Sequence, residues 1–136
     1  MYEFHGWANI RETYRNTEEA EMNIRTIIDK INQYIKSQEM FNWSFDIKTY
    51  NGNHHLIVSG FTNHALPASK KLFDLYKYIA NIAPGSYGLL YIHDDEDING
   101  FENEFRVFVL ARGELIEKKD MFLSPYIPTV EDEYDM

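Results

Sequence analysis

Four acids stand without a break at Asp94-Asp95-Glu96-Asp97, directly behind His93, and two more follow at Glu102 and Glu104. These are the residue types that hold hard cations, because Ca²⁺ and Mg²⁺ take carboxylate oxygens. The spacing argues against that chemistry. A calcium loop offers its ligands at alternate positions around a fixed glycine and closes on a glutamate, whereas neighbouring side chains of an extended loop point apart and do not converge. The acids are therefore expected to form a fixed negative surface that meets a partner. No metal and no cofactor are expected.

Other chemistry finds little support. His54-His55 are adjacent on an expected strand and face opposite ways, so they cannot chelate together. His5 lies in an expected core strand, where a histidine is usually satisfied by its neighbours. Ser44, Ser59, Ser69, Ser86 and Ser124 fall in no nucleophile motif. The chain has no glycine-rich phosphate loop of either common spacing. It has no cysteine, which excludes disulfides, thiol nucleophiles and Cys-ligated zinc and suits a reducing compartment. No catalytic residue is assigned, and no enzymatic activity is expected.

Charge sharpens the reading of the acidic run. The net charge is −9. Residues 1–90 carry nine acids and nine bases, while residues 91–136 carry thirteen acids and four bases. All of the imbalance thus lies in the last third. That disfavours nucleic acid and anionic membrane as partners and favours a basic one, drawn in by long-range attraction. No apolar run approaches the roughly 20 residues that span a bilayer, and no signal stretch opens the chain, so a cytoplasmic protein is expected.

The elements that hold the acidic run follow from periodicity. The run extends a short apolar segment, Tyr87-Gly88-Leu89-Leu90-Tyr91-Ile92, bounded by Pro84-Gly85 and read as a buried strand over 87–93. Asn99-Gly100 marks a turn between the acids, and a further strand covers 105–112. Residues 114–117 offer a short sixth strand. Upstream, 2–12 reads as a first strand with Tyr2, Phe4, Ala8 and Ile10 on one set and Trp7 on the other, a pattern expected for a strand that is central or covered on both faces. Gly6 within it predicts a bulge or a close backbone contact.

Asn16 with Glu19 predicts the cap of a six-turn helix whose apolar stripe is Ala20, Ile24, Ile27, Ile28, Ile31, Tyr34 and Ile35. Residues 41–50 alternate as a strand with one wet face, and Asn51-Gly52 predicts a tight hairpin into a strand over 54–62. That strand, apolar at Leu56, Ile57, Val58 and Phe61, is expected to be central. A second helix covers 68–83, with Leu72, Leu75, Tyr76, Ile79, Ile82 and Ala83 buried. After Asp120, Pro125 and Pro128 predict an extended tail pinned by Met121, Phe122, Leu123, Tyr126 and Ile127, with the last six residues frayed.

At 136 residues this order predicts one α+β domain over 1–136. The expected architecture is a ferredoxin-like βαββαβ antiparallel sheet with both helices on one face, extended by one or two C-terminal strands. Strands one and three should lie side by side, and strand five beside strand four. The partner surface is then expected at Asp94, Asp95, Glu96, Asp97, Glu102 and Glu104, with Tyr91 and Phe101 as aromatic anchors among the charges.

Four stretches together resemble the immunity protein 7 family of bacterial polymorphic toxin systems: EFHGWANIRE at 3–12, GSYGLLYIHDDED at 85–97, NEFRVFVLARGEL at 103–115 and KKDMFLSPYIPTVEDE at 118–133. The resemblance spans the chain in order. In the LSP-x-x-P motif of the tail, Tyr126 stands where a cysteine is expected. The resemblance implies a non-enzymatic α+β protein that binds and blocks a cognate toxin domain. Such toxins are often nucleases with basic surfaces, which suits an acidic inhibitor. Oligomeric state is left open. The second reading is a small metal- or ligand-binding α+β domain, enzymatic or not, that uses His5, His93 and the same acids.

Overall fold

The computed structural model describes residues 1–15, 23–39 and 43–134. The chain order is β1 (Tyr2–Ile10), α1 (Ile24–Ser37), β2 (Ser44–Tyr50), β3 (Asn53–Thr62), α2 (Ala68–Ile82), β4 (Tyr87–Asp94), β5 (Arg106–Ala111), β6 (Glu114–Lys119) and α3 (Tyr126–Thr129). The six strands form one sheet in the order β2-β3-β1-β4-β5-β6, and every neighbouring pair is antiparallel. β1 lies beside β3 and β5 beside β4, as the element order implies. The class is α+β.

One face of the sheet makes the core. Tyr2, Phe4, Ala8 and Ile10 of β1 point to it, with Leu56 and Val58 of β3, Leu90 and Ile92 of β4, and Phe108 and Leu110 of β5. Ile27 and Ile31 of α1 and Leu72, Leu75, Tyr76 and Ile79 of α2 close over them. The two helices meet through Tyr34 and Tyr78, whose rings stack 4.4 Å apart. Asn51 and Gly52 both take positive φ, 50° and 79°, which is the backbone of the tight hairpin the dipeptide calls for. Gly6 lies where a Cβ would collide with the hydroxyl of Tyr76 and come within 2.9 Å of the Leu89 carbonyl. Close approach, and not a bulge, explains that glycine, since the β1 ladder runs through it unbroken.

Several expectations are corrected. α1 begins at Ile24 and is 14 residues long, about four turns. The Asn16 cap and Ala20 lie outside the described residues. β1 is central in the sheet and β3 lies inside β2, but β1 is not covered on both faces: Trp7, with Ile57 and Phe61 of β3, stands exposed. The reason is simple. Both helices pack on the first face, and antiparallel sheets commonly leave the other to solvent. His5 is accordingly an exposed residue of the open face, hydrogen-bonded to Glu3, and not a core histidine.

The tail is not simply extended: it turns back over Tyr126–Thr129, where the Thr129 and Val130 amides donate to the Pro125 and Tyr126 carbonyls while Ile127 and Pro128 keep non-helical backbone angles. Nor do Met121 and Phe122 pin it; they are 76% and 78% exposed. Tyr126 does, against His93, together with polar contacts. No helix among the described residues is long and apolar enough to cross a membrane.

Candidate interaction surface

The open face begins with the strand residues left over from the core. Trp7, Ile57, Phe61, Leu89 and Tyr91 alternate out of β1, β3 and β4 onto this side. Trp7 stacks on His55, 6.0 Å between ring centroids, and meets Tyr87 edge-on. His5 meets Phe61 edge-on at 5.6 Å. One side of the face is walled by the returning tail at Leu123, Tyr126 and Val130. The result is a broad groove of about 1230 Å³, larger than the roughly 300–1,000 Å³ of small-molecule sites.

The tail is fixed by two polar knots. Asp120, 3% exposed, accepts hydrogen bonds from the Ser124 hydroxyl at 2.7 Å, the Phe122 and Leu123 amides at 3.0 and 3.1 Å, and the Tyr91 hydroxyl at 3.2 Å. Burial alone would push its carboxyl up, but these donors hold it below the usual carboxylate value. The Phe105 amide donates to Ser124 Oγ at 2.8 Å. The second knot is Asn103. Its carbonyl accepts from the Tyr126 amide at 2.7 Å, and its side chain both accepts from and donates to the backbone of Ile127.

His93 ties these parts together. It is 4% exposed, and its Nε2–H donates to the Glu102 carbonyl at 3.0 Å. Its Nδ1 lies 3.7 Å from the Glu3 carboxylate, and its ring stacks on Tyr126. Glu3, 12% exposed at its side chain, is thereby a carboxylate set into the groove between His93 and His5. Burial pushes the Tyr126 phenol up, and Glu131, Glu3 and Asp95 push it further. Of these acids Glu3 lines the groove itself.

The acids of the 94–104 loop do not line the groove, and they are not equivalent groups. Asp94 and Asp97 are occupied by the loop itself. Asp94 accepts from the Glu96 amide, and Asp97 accepts from the amides of Asn99 and Phe101. Asp95 binds the Met1 amino group at 2.5 Å, and Glu96 lies between that amino group and His64. Hydrogen bonding to Asp95 raises the amino group above its ordinary value. Glu102 is exposed and Glu104 half-buried.

Phe101 is half-buried beneath the Arg106 guanidinium, 4.7 Å from its ring centre. Hydrogen bonding to Glu117 holds that guanidinium above its ordinary value. Tyr91 lies in the groove with its hydroxyl engaged by Asp120. Among the described residues no three His, Cys, Asp or Glu side chains gather as a metal site.

Sequence reasoning missed the apolar half of this surface. Its signal was present in the second apolar set of β1 and β3, taken there as a sign of burial. The family model for immunity protein 7 matches residues 1–132. The chain belongs to this family. Neither the curated proteins nor the solved structures contain a match to it. Within this immunity protein 7 chain, the match covers the whole groove and the whole acidic loop, including the tail residues that wall the groove.

Proposed function

We propose that this chain is an immunity protein that binds and neutralises a cognate bacterial toxin domain, a basic nuclease, in the cytoplasm of the cell that carries both. It acts by occupancy and not by turnover. The observation that carries the reading is the family match over residues 1–132. The concentration of the whole net charge in residues 91–136 supports a basic partner.

In this reading Asp94, Asp95, Glu96, Asp97, Glu102 and Glu104 present the negative surface, with Tyr91 and Phe101 beside them. Asp94 and Asp97 keep the loop in one shape, which lowers the ordering cost of binding. Asp95, Glu96, Glu102 and Glu104 face the partner's cations. The β1–β4 part with α1 and α2 is a ferredoxin-like unit extended by β5 and β6. Its helices occupy one face and leave the other to the toxin.

The test is co-expression with the toxin domain encoded beside this gene. Restored growth, with a 1:1 complex of the purified pair, is the expected result. Growth arrest despite soluble expression of both proteins, with no complex, would remove the reading.

A further inference from the structure

The groove on the open face combines apolar side chains with a carboxylate. Its exposed apolar residues come from two sides: Trp7, Ile57 and Phe61 on β1 and β3, and Leu123 and Val130 on the tail. The first three form a patch on strands that are otherwise fully paired, and such contiguous apolar patches mark interaction sites. A carboxylate stands among them: Glu3 of β1 pairs in register with Phe61 of β3, lines the groove and is 12% exposed at its side chain.

A second copy of this chain is a poor occupant. Each copy carries −9, and pairing the faces would bring two sets of acids together. An anionic lipid surface or a nucleic acid meets the same repulsion.

We propose that the groove receives a toxin segment that carries a large apolar side chain beside a lysine or arginine. This rests on the reading of the chain as an immunity protein and names the part of the toxin it grips. The apolar side chain seats against Trp7, Ile57 and Phe61. The cation reaches the Glu3 carboxylate, which stands beside Phe61 in the groove. The groove then fixes the lifetime of the complex, while the outer acids of the 94–104 loop set the speed of encounter. Buried apolar anchors act mainly on dissociation, and rim charges act mainly on association.

The experiment measures association and dissociation of the full chain with the neighbouring toxin domain, for wild type, Ile57→Ala/Phe61→Ala and Glu3→Gln. Both alanine sites are exposed, so the double variant keeps its fold, checked by its melting curve. The expected result is a dissociation rate raised roughly tenfold or more by the double variant, with association changed less than about twofold. Glu3→Gln should weaken binding and reduce its salt dependence. Wild-type binding left unchanged by the double variant would overturn the groove as the contact while leaving the immunity reading intact. No binding by wild type would overturn both. Self-association of the free protein that the double variant abolishes would assign the face to a second copy and overturn the proposal.

Discussion

The imidazole of His93 lies almost flat on the ring of Tyr126, with centroids 4.3 Å apart and planes 14° from parallel. His93 is the last buried residue of β4, and Tyr126 opens the final turn of the tail. This single stack sets the tail against the sheet and makes it one wall of the groove. Phe105 packs at the edge of both rings, at 5.2 and 5.9 Å.

Tyr126→Ala should free the tail without unfolding the sheet. Aromatic pairs contribute about 0.5–1.5 kcal/mol beyond the area they bury. The melting point should therefore fall modestly. Limited proteolysis should cut after residue 120 far faster than in wild type. An unchanged cleavage pattern would show that the Asn103 and Asp120 contacts hold the tail alone.

Asp120→Ala should cost more. It leaves the Ser124 hydroxyl, two amides and the Tyr91 hydroxyl without their acceptor. Hydrogen bonds to a charged acceptor contribute about 1.5–3 kcal/mol each, shared here among partners that can in part turn to water, so a loss of about 2–4 kcal/mol in chemical denaturation is expected.

The same residue gives a pH dependence. Its carboxyl is held below the unfolded value, so the folded state favours the charged form. The stability it contributes is fully present above the ordinary aspartate range near pH 4 and is lost as pH falls through the lower folded value. Asp120→Asn should therefore flatten the acid limb of the stability curve below about pH 4 relative to wild type. Parallel curves for the two proteins would contradict the assignment.

Gly6→Ala should destabilise the fold through α2 and not through the groove. The added methyl meets the buried Tyr76 hydroxyl, which donates to the Leu89 carbonyl at 3.2 Å. Overpacking of this kind costs about 1–3 kcal/mol. The double variant Gly6→Ala/Tyr76→Phe should recover part of the loss in the same denaturation assay.

Charge reversal at Glu102 and Glu104 should act on encounter. Neither side chain is used to hold the loop, so Glu102→Lys/Glu104→Lys should leave the melting point within a few degrees of wild type. Steering contributes between about 10- and 1,000-fold to association, so a fall of about tenfold at low salt is expected, vanishing as salt rises. Stopped-flow association at two ionic strengths checks it.

Much of the fold was legible because its signals are local. Asn51-Gly52 specifies its turn, the alternation of 44–50 specifies an edge strand with a wet face, and the stripe from Leu72 to Ile79 specifies the buried side of α2. The acidic loop was legible for the same reason: its acids are contiguous.

The groove was not legible. Alternation shows that Trp7 and Ile57 share a face, but not whether a layer of helices covers it. Only the topology decides that, by sending α1 and α2 to the same side. The tail was legible only in part: Tyr126 pins it against His93, while Met121 and Phe122 do not. The rest of the grip comes from Asp120 and Asn103, which bond to backbone amides, and no sequence pattern announces such bonds.

Calorimetric titration of this chain with the purified toxin domain, at low and at high salt, tests the central claim most directly. The account predicts a 1:1 complex that weakens as salt rises yet persists at high salt, because the acids steer and the groove holds. Absence of heat and of complex at either salt would contradict it.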